Sequence, residues 1–298
     1  MSGIIDYAIW EITTKCNLNC LHCIRKVYPG ELDSKDCLRV IDSLGSLGCR
    51  ELSVTGGEIF VKKGLLEILE YANKKGIKIK LFTNGVLINK KVLERLKFIE
   101  CIYFSIEGPE SVNDFIRGKG VFRKVIKDIE LCKDLGINFG IASTLNKLNF
   151  DNLESFLAFL KKLRPKYITL SQLIPLGKAK KNKSLLYQEI NKKSLINLMR
   201  KVFPNKKFRK LTFCPVNPRQ IFIDPKGNFY PCTEVCKPGY SNALGNLLNK
   251  NYLPILIRFN KKKVRPPKKC PYLNYGSENI TFSIIQSRYC SINNLYIG

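Results

Sequence analysis

Tyr7-Ala8-Ile9-Trp10-Glu11-Ile12-Thr13-Thr14-Lys15-Cys16-Asn17-Leu18-Asn19-Cys20-Leu21-His22-Cys23 is the stretch around which the chain is organised. Its apolar start, Tyr7 to Ile12, reads as a short strand, and three cysteines follow it closely. Thiolates crowded into a tight loop hold a metal or an iron–sulfur cluster. A cubane cluster has four irons and this loop offers only Cys16, Cys20 and Cys23, so one iron is left for another ligand.

Working outward, helix-period and strand-period segments alternate. A helix is expected from Ser34 to Leu47, with Ser34 as N-cap, Leu38, Ile41 and Leu44 on one face, and Gly48 ending it. Strand Glu51–Val54 runs into Thr55-Gly56-Gly57-Glu58, and a helix from about Lys63 to Lys75 stops at Gly76. Strand Ile77–Phe82 runs into Thr83-Asn84-Gly85. Helix Asn89–Phe98, strand Cys101–Ile106, helix Val121–Leu135, strand Ile137–Leu145, helix Asn152–Leu163 and strand Tyr167–Leu173 continue the rhythm. Strands alternating with such helices predict parallel pairing with right-handed crossovers. The expected fold is therefore α/β: a partial (β/α)6 TIM-like barrel over residues 1–185, with a smaller C-terminal region over 205–298. Working residues of such barrels lie at the C-terminal ends of strands. The cysteine loop, Gly56-Gly57-Glu58, Thr83-Asn84-Gly85 and Ser105-Ile106-Glu107 all fall at strand ends, on one rim.

The bulk numbers narrow the class. With 298 residues and 45% hydrophobic content the chain can bury a sizeable core. No apolar run is long enough for a membrane-spanning helix, and Met1 to Asp6 lacks the features of a signal peptide, so no membrane and a cytoplasmic location are expected. Twelve cysteines in a reducing compartment favour metal ligation over disulfides for the clustered ones. Cys37, Cys49, Cys101 and Cys132 have apolar neighbours and read as core residues. The formal charge of +27 is spread over the exposed faces, clustering at Lys178–Lys183 and Lys261–Lys269 without interleaved aromatics. That argues against nucleic acid as the partner. A basic nucleic-acid-binding protein with structural metal sites is the rival from another class.

Zinc is a second reading of the loop, but its ring ligand would have to be His22, the chain's one histidine, and His22 adjoins Cys23. His22 reads instead as a packing residue beside the metal. The spacing Cys-x₃-Cys-x₂-Cys after the first strand, with Gly56-Gly57-Glu58 after the second, resembles the radical S-adenosylmethionine (SAM) superfamily over about residues 5 to 180. The resemblance implies that Cys16, Cys20 and Cys23 ligate a [4Fe–4S] cluster whose open iron takes the amino and carboxylate groups of SAM. It implies one-electron cleavage of SAM to a 5′-deoxyadenosyl radical that abstracts hydrogen from a substrate. An electron donor such as ferredoxin or flavodoxin follows from that chemistry. In the family the glycine–glutamate motif holds the methionine amino group, which points to Gly56, Gly57 and Glu58; here Ile59 stands where proline commonly follows. Asn84 and Ser105 resemble positions that touch SAM. The stretch Glu107-Gly108-Pro109 through Arg117-Gly118 resembles one found in peptide- and protein-modifying branches. Arg117 is a candidate to pair with a carboxylate, and Glu107 is the carboxylate to test as a catalytic group.

A second resemblance lies in the C-terminal region. Cys214, then twelve residues, Gly227, four residues and Cys232 is similar to the opening of the SPASM/twitch auxiliary domain. A full SPASM domain carries seven cysteines for two clusters; here five follow residue 205, which implies one auxiliary [4Fe–4S] cluster. Cys214, Cys232, Cys270 and Cys290 are its expected ligands, with Cys236 competing for one place. Between the first two lies Asp224-Pro225-Lys226-Gly227, a hairpin turn between strands Gln220–Ile223 and Asn228–Tyr230. The implied substrate is a peptide or protein side chain, and the alternative is a small cofactor precursor such as a haem.

Overall fold

The computed structural model describes residues 3–25, 27, 29–186, 192–203, 209–211, 219–231, 243–261, 281–283 and 294–297. Short β-branched and aromatic runs form the strands, as the pleated, half-buried surface favours. The first is β1 (Tyr7–Thr13), followed by α1 (Ser34–Ser46), β2 (Glu51–Gly56), α2 (Leu65–Lys74), β3 (Lys78–Thr83), α3 (Lys90–Arg95) and β4 (Cys101–Ser105). Then come α4 (Glu110–Arg117), α5 (Val121–Asp134), β5 (Phe139–Leu145), α6 (Lys147–Phe150), α7 (Leu153–Leu163) and β6 (Tyr167–Gln172). Each neighbouring pair from β1 to β6 is parallel, which is the partial barrel the alternation predicts.

The helices bury their apolar stripes against the outer face of this sheet. On α1 the stripe is Cys37, Val40, Ile41 and Leu44; on α7 it is Phe156, Leu157 and Leu160, all fully buried. These spacings of three and four are the helical period, and each such side chain contributes about 1.5–3 kcal/mol by leaving water. Two local expectations change. Asp33, not Ser34, caps α1: its carboxylate accepts from the Asp36 N–H at 2.8 Å, and a carboxylate at a helix start also opposes the positive end of the helix dipole. Helix α4 lies where only a motif was read, with Glu110 in its first turn and Arg117 in its last.

Facing inward, Glu11, Thr55, Phe82, Ser105 and Thr144 are half-exposed between buried neighbours and, with the half-exposed Ser171, form a ring near the strands' C-terminal ends. Beneath it the rings of Phe82 and Tyr103 stack at 4.6 Å, and Tyr103 and Tyr167 at 6.2 Å. Gly140 makes room for this floor: a Cβ there would stand 2.7 Å from the Tyr103 ring.

The later elements are α8 (Lys192–Val202), β7 (Arg209–Leu211), β8 (Gln220–Ile223), β9 (Asn228–Tyr230), β10 (Gly245–Asn246), α9 (Tyr252–Lys261), β11 (Thr281–Ser283) and β12 (Asn294–Ile297). The expected hairpin is β8–β9, with Asp224 accepting from the Lys226 and Asn228 N–H groups at 2.9 and 3.0 Å. Strand β8 lies parallel to β1, so the hairpin extends the barrel sheet at one edge. Arg219 clamps Asp6 with two bonds of 2.5 and 2.6 Å just before that pairing begins. At the other edge β11 and β12 pair antiparallel with β6. Among the described residues, no helix is long and apolar enough to cross a membrane.

Candidate active site

Three elements hold the cysteine loop in place. At the end of β2 the Gly57 and Glu58 N–H groups donate to the Thr13 and Lys15 carbonyls, both at 2.8 Å. A Cβ on Gly57 would stand 1.9 Å from the Lys15 carbonyl oxygen, and one on Gly56 would stand 2.7 Å from that of Thr13. The glycine pair is therefore required by backbone packed on backbone at the entry to Cys16. From α4, the Ile116 carbonyl accepts from Leu21 N–H at 2.9 Å, and the Arg117 carbonyl lies 4.0 Å from Cys20 Sγ.

The third support follows β6. Lys178 N–H donates to the Cys23 carbonyl at 2.8 Å, the Asn182 side chain donates to the Leu21 carbonyl at 2.8 Å, and the Lys178 ammonium meets the Asn19 side chain. Gly177 has φ +54° and a Cβ there would meet the Cys23 carbonyl at 2.6 Å. Ile116, Leu173, Ala179 and Leu185 seal the gap, with Leu21 and Ile24 of the loop packed against them.

Glu58 is wholly buried and ties the rim together. Its oxygens accept from Thr83 Oγ1 at 2.8 Å, Asn84 N–H at 2.7 Å and Phe60 N–H at 3.2 Å. Burial pushes its carboxyl up, against the pull of those three bonds and of the Arg25 charge. Asn84 in turn donates to the Asn17 side chain at 2.8 Å and lies 3.8 Å from Cys16 Sγ. The chain after β3 thus touches the first cysteine directly. Ser105 stands half-buried at the end of β4, on the inward ring.

Glu107 and Arg117 form a buried pair behind His22. The Arg117 Nε donates to Glu107 Oε1 at 3.1 Å, with a second guanidinium nitrogen on the same oxygen. His22 Nε2 lies 3.3 Å from that oxygen, and Thr144 N–H donates to the other at 2.7 Å. Burial would raise the Glu107 carboxyl, but the Arg117 charge, His22 and the Thr144 N–H outweigh it and hold it at about 2. So Glu107 is a fixed carboxylate with both oxygens occupied, and Arg117 points at it. Both belong to the scaffold under Cys20 and His22. Helix α4 (Glu110–Arg117) is the element that delivers Arg117, and only the resemblance of the stretch Glu107 through Gly118 hinted at it.

What does the loop offer chemically? Cys16 is exposed, Cys20 and Cys23 are half-buried, and all three thiols are free. Burial raises the Cys20 thiol, and Cys16 and Cys23 add to this, while Arg117 opposes it. Among the described residues, no three His, Cys, Asp or Glu side chains converge on a single ion point. One zinc with bonds of about 2.3 Å would need its sulfurs within about 4 Å of one another. A polynuclear cluster instead gives each thiolate its own iron and needs no such single point. Two buried polar atoms beside the loop, His22 Nδ1 and Arg25 Nη1, have no hydrogen-bond partner among the described residues. Such orphaned atoms are expected where a polar group belongs. The residues present fit an iron–sulfur cluster and a polar ligand. Cys214, Cys232, Cys236, Cys270 and Cys290, the expected auxiliary ligands, lie outside the described residues.

The sequence profile of the Radical SAM superfamily matches residues 10–163. The Fe-coproporphyrin III synthase of Methanosarcina barkeri (strain Fusaro) is 30% identical over 190 residues, which is 61% of this chain and 48% of that protein. Mycofactocin maturase MftC of Mycobacterium ulcerans (strain Agy99) is 33% identical over 156 residues, 50% of this chain and 42% of that one. The chain thus matches somewhat less than half the length of these two relatives. Streptococcus suis SuiB bound to S-adenosylmethionine superposes with a TM-score of 0.68 at 15% identity, covering 91% of this chain and 68% of SuiB. SuiB with the precursor peptide SuiA superposes at 0.66 and 15% identity over 87% of this chain and 67% of that one. At such identity the likeness is one of fold.

Proposed function

Since the chain belongs to the radical SAM superfamily, we propose that it is an enzyme holding a [4Fe–4S] cluster on Cys16, Cys20 and Cys23 and binding S-adenosylmethionine at the open iron. The chemistry this pair supplies when bound is one-electron cleavage to methionine and a 5′-deoxyadenosyl radical, which takes a hydrogen atom from the substrate. The observation that carries the reading is the loop itself: three free thiols, held at a strand end by β2, α4 and the segment after β6. Glu58 and Asn84 fix the β2 and β3 ends against Cys16, and Gly56 and Gly57 allow the close approach. The apolar seal of Ile116, Leu173 and Leu185 keeps water from the back of the loop. Glu107, its charge held by Arg117, orients His22 and serves as a positioning residue.

For the substrate we propose a peptide or protein side chain. Support comes from the similarity to mycofactocin maturase MftC and from the fold shared with SuiB, which has been solved with a precursor peptide. The similarity to Fe-coproporphyrin III synthase favours a second reading, a porphyrin substrate. Four of the five late cysteines, Cys214, Cys232, Cys270 and Cys290 with Cys236 competing for one place, complete the proposal as holders of one auxiliary cluster in a smaller region after residue 205, served by a ferredoxin- or flavodoxin-type electron donor. The test is anaerobic reconstitution with iron, sulfide, reductant and S-adenosylmethionine. Formation of 5′-deoxyadenosine supports the activity, and its absence from a cluster-loaded protein overturns it. A Cys16→Ala variant that still forms it overturns the ligand assignment.

A further inference from the structure

Asn84 follows β3 at the rim, and its backbone and side chain do different work. Its N–H donates to Glu58 at 2.7 Å, which fixes the chain at that point. Next to it, Gly85 has φ +82° and packs on α5, where a Cβ would stand 2.9 Å from Val125 Cγ2. From the same helix the Lys124 ammonium donates to the Ile88 carbonyl at 2.8 Å and to Asp128 at 2.6 Å. Backbone contacts therefore hold this segment at Asn84 and again at Ile88 without calling on the Asn84 amide nitrogen. Asn84 is 5% exposed, so its amide cannot turn to water instead.

The orientation of the amide is settled by its partners. Oδ1 accepts from Val86 N–H at 2.9 Å, so Nδ2 faces the cysteine loop. It donates to Asn17 Oδ1 at 2.8 Å and lies 3.8 Å from Cys16 Sγ. A side-chain amide has two N–H donors, and these two partners account for both. A second donor reaches Cys16 Sγ from the loop itself, the Leu18 N–H at 3.4 Å. Asn17 Oδ1, 4.0 Å from the same sulfur, is itself engaged by Asn84. Cys20 Sγ faces an acceptor instead, the Arg117 carbonyl at 4.0 Å. Two sulfurs of one loop thus lie in opposite surroundings, and Cys16 is the one met by N–H groups.

We propose that the Asn84 side chain donates a hydrogen bond to the Cys16 thiolate and thereby raises the reduction potential of the cluster held there. This rests on Cys16, Cys20 and Cys23 ligating that cluster, and not on what the enzyme acts upon. One electron arrives from the external donor, no bond forms or breaks, and the added negative charge spreads onto the thiolates. An N–H aimed at one of them stabilises the reduced form more than the oxidised form, which is how hydrogen bonds to sulfur set cluster potentials. Asn84 acts through Cys16 and is a positioning residue.

The test is a redox titration followed by EPR on anaerobically reconstituted wild type, Asn84→Ala and Asn84→Asp, with iron counted in each. Asn84→Ala is expected to make reduction about tenfold less favourable, which for one electron is about 59 mV toward lower potential. Asn84→Asp keeps the size and the acceptor for Val86 N–H but puts a negative charge where the donor was, so its potential should fall further. A merely structural role would not order the two variants in this way at full iron content. Pulsed EPR on reduced wild type, with isotopically labelled nitrogen in its asparagine side chains, reads the bond without any substitution. A coupling from that nitrogen is expected, and Asn84→Asp should remove it. An iron-loaded variant at the wild-type potential overturns the proposal, as does a wild-type spectrum without the coupling. Wild type that takes up no cluster would overturn the ligand reading first, and the proposal with it.

Discussion

Two groups of cysteines share this chain, and burial separates them. Cys37, Cys49, Cys101 and Cys132 sit in the apolar core between helices and sheet. Their thiols are pushed up by burial, to about 11 for Cys37 and about 12 for Cys49 and Cys132, with Cys101 raised as well. Cys16, Cys20 and Cys23 sit on a loop at the rim, exposed or half-buried, where a ligand can meet the sulfur; burial raises Cys20 as well, but there the Arg117 charge opposes it. The thiolate is the form that binds iron, and desolvation denies it to the core group. Within one polypeptide, then, the same side chain is inert packing in one place and the proposed reactive centre in the other.

The comparison can be broken most severely at the loop. Replacing Cys16, Cys20 or Cys23 with Ala is expected to remove about four irons per chain and abolish 5′-deoxyadenosine, with little change in unfolding of the cluster-free protein. Cys101→Ala or Cys132→Ala should do the reverse, keeping the iron while costing about 1–3 kcal/mol in a urea titration. Iron loss from a core variant, or iron kept by a loop variant, would break the distinction.

Next in size is the scaffold beneath the loop. Glu107→Ala strands the buried Arg117 guanidinium and is expected to cost about 3–5 kcal/mol in the same titration. Because the Glu107 carboxyl is held at about 2, below its unfolded value, its stabilisation is present above the unfolded value and is lost as pH falls toward 2. The gap in unfolding free energy between wild type and Glu107→Gln should therefore shrink as pH drops from about 5 to 3. A gap that stays constant would mean that Glu107 titrates alike in the folded and unfolded protein, and one that widens would mean that it is protonated in the folded protein.

Gly57→Ala comes third. A methyl 1.9 Å from the Lys15 carbonyl oxygen must push β2 and the loop apart. Overpacking of this kind typically costs about 1–3 kcal/mol, and iron uptake on reconstitution should slow or fail with it. Smallest is the effect on reactivity in the unmodified protein. In cluster-free protein, peptide mapping after brief alkylation at pH 8 should find Cys16 labelled first and Cys37, Cys49, Cys101 and Cys132 last.

Much of the barrel was legible because it repeats. Period-two and period-3.6 patterning is local, so β1 through β6 and their main helices appear within a few residues of where the sequence places them. The core role of Cys37, Cys49, Cys101 and Cys132 followed from apolar neighbours for the same reason. What was not legible depends on contacts distant in sequence. Gly177 is required by the Cys23 carbonyl, which is brought to it only when the barrel closes. The stretch from Lys178 to Lys183 read only as a cluster of charge, yet Lys178 and Asn182 hold the cysteine loop. Helix α4 is short and polar on most of its surface, and its role becomes visible only once Arg117 meets Glu107. Gly56 and Gly57 read as part of a ligand-holding motif, and the structure adds that they make room for the backbone before Cys16.

The most direct test of the central claim is 5′-deoxyadenosine formation by the anaerobically reconstituted wild-type chain with S-adenosylmethionine and a low-potential reductant, even without substrate. The account predicts product that requires the reductant and all three loop cysteines and is indifferent to loss of Cys101 or Cys132. A protein that takes up its iron yet leaves S-adenosylmethionine intact would contradict it.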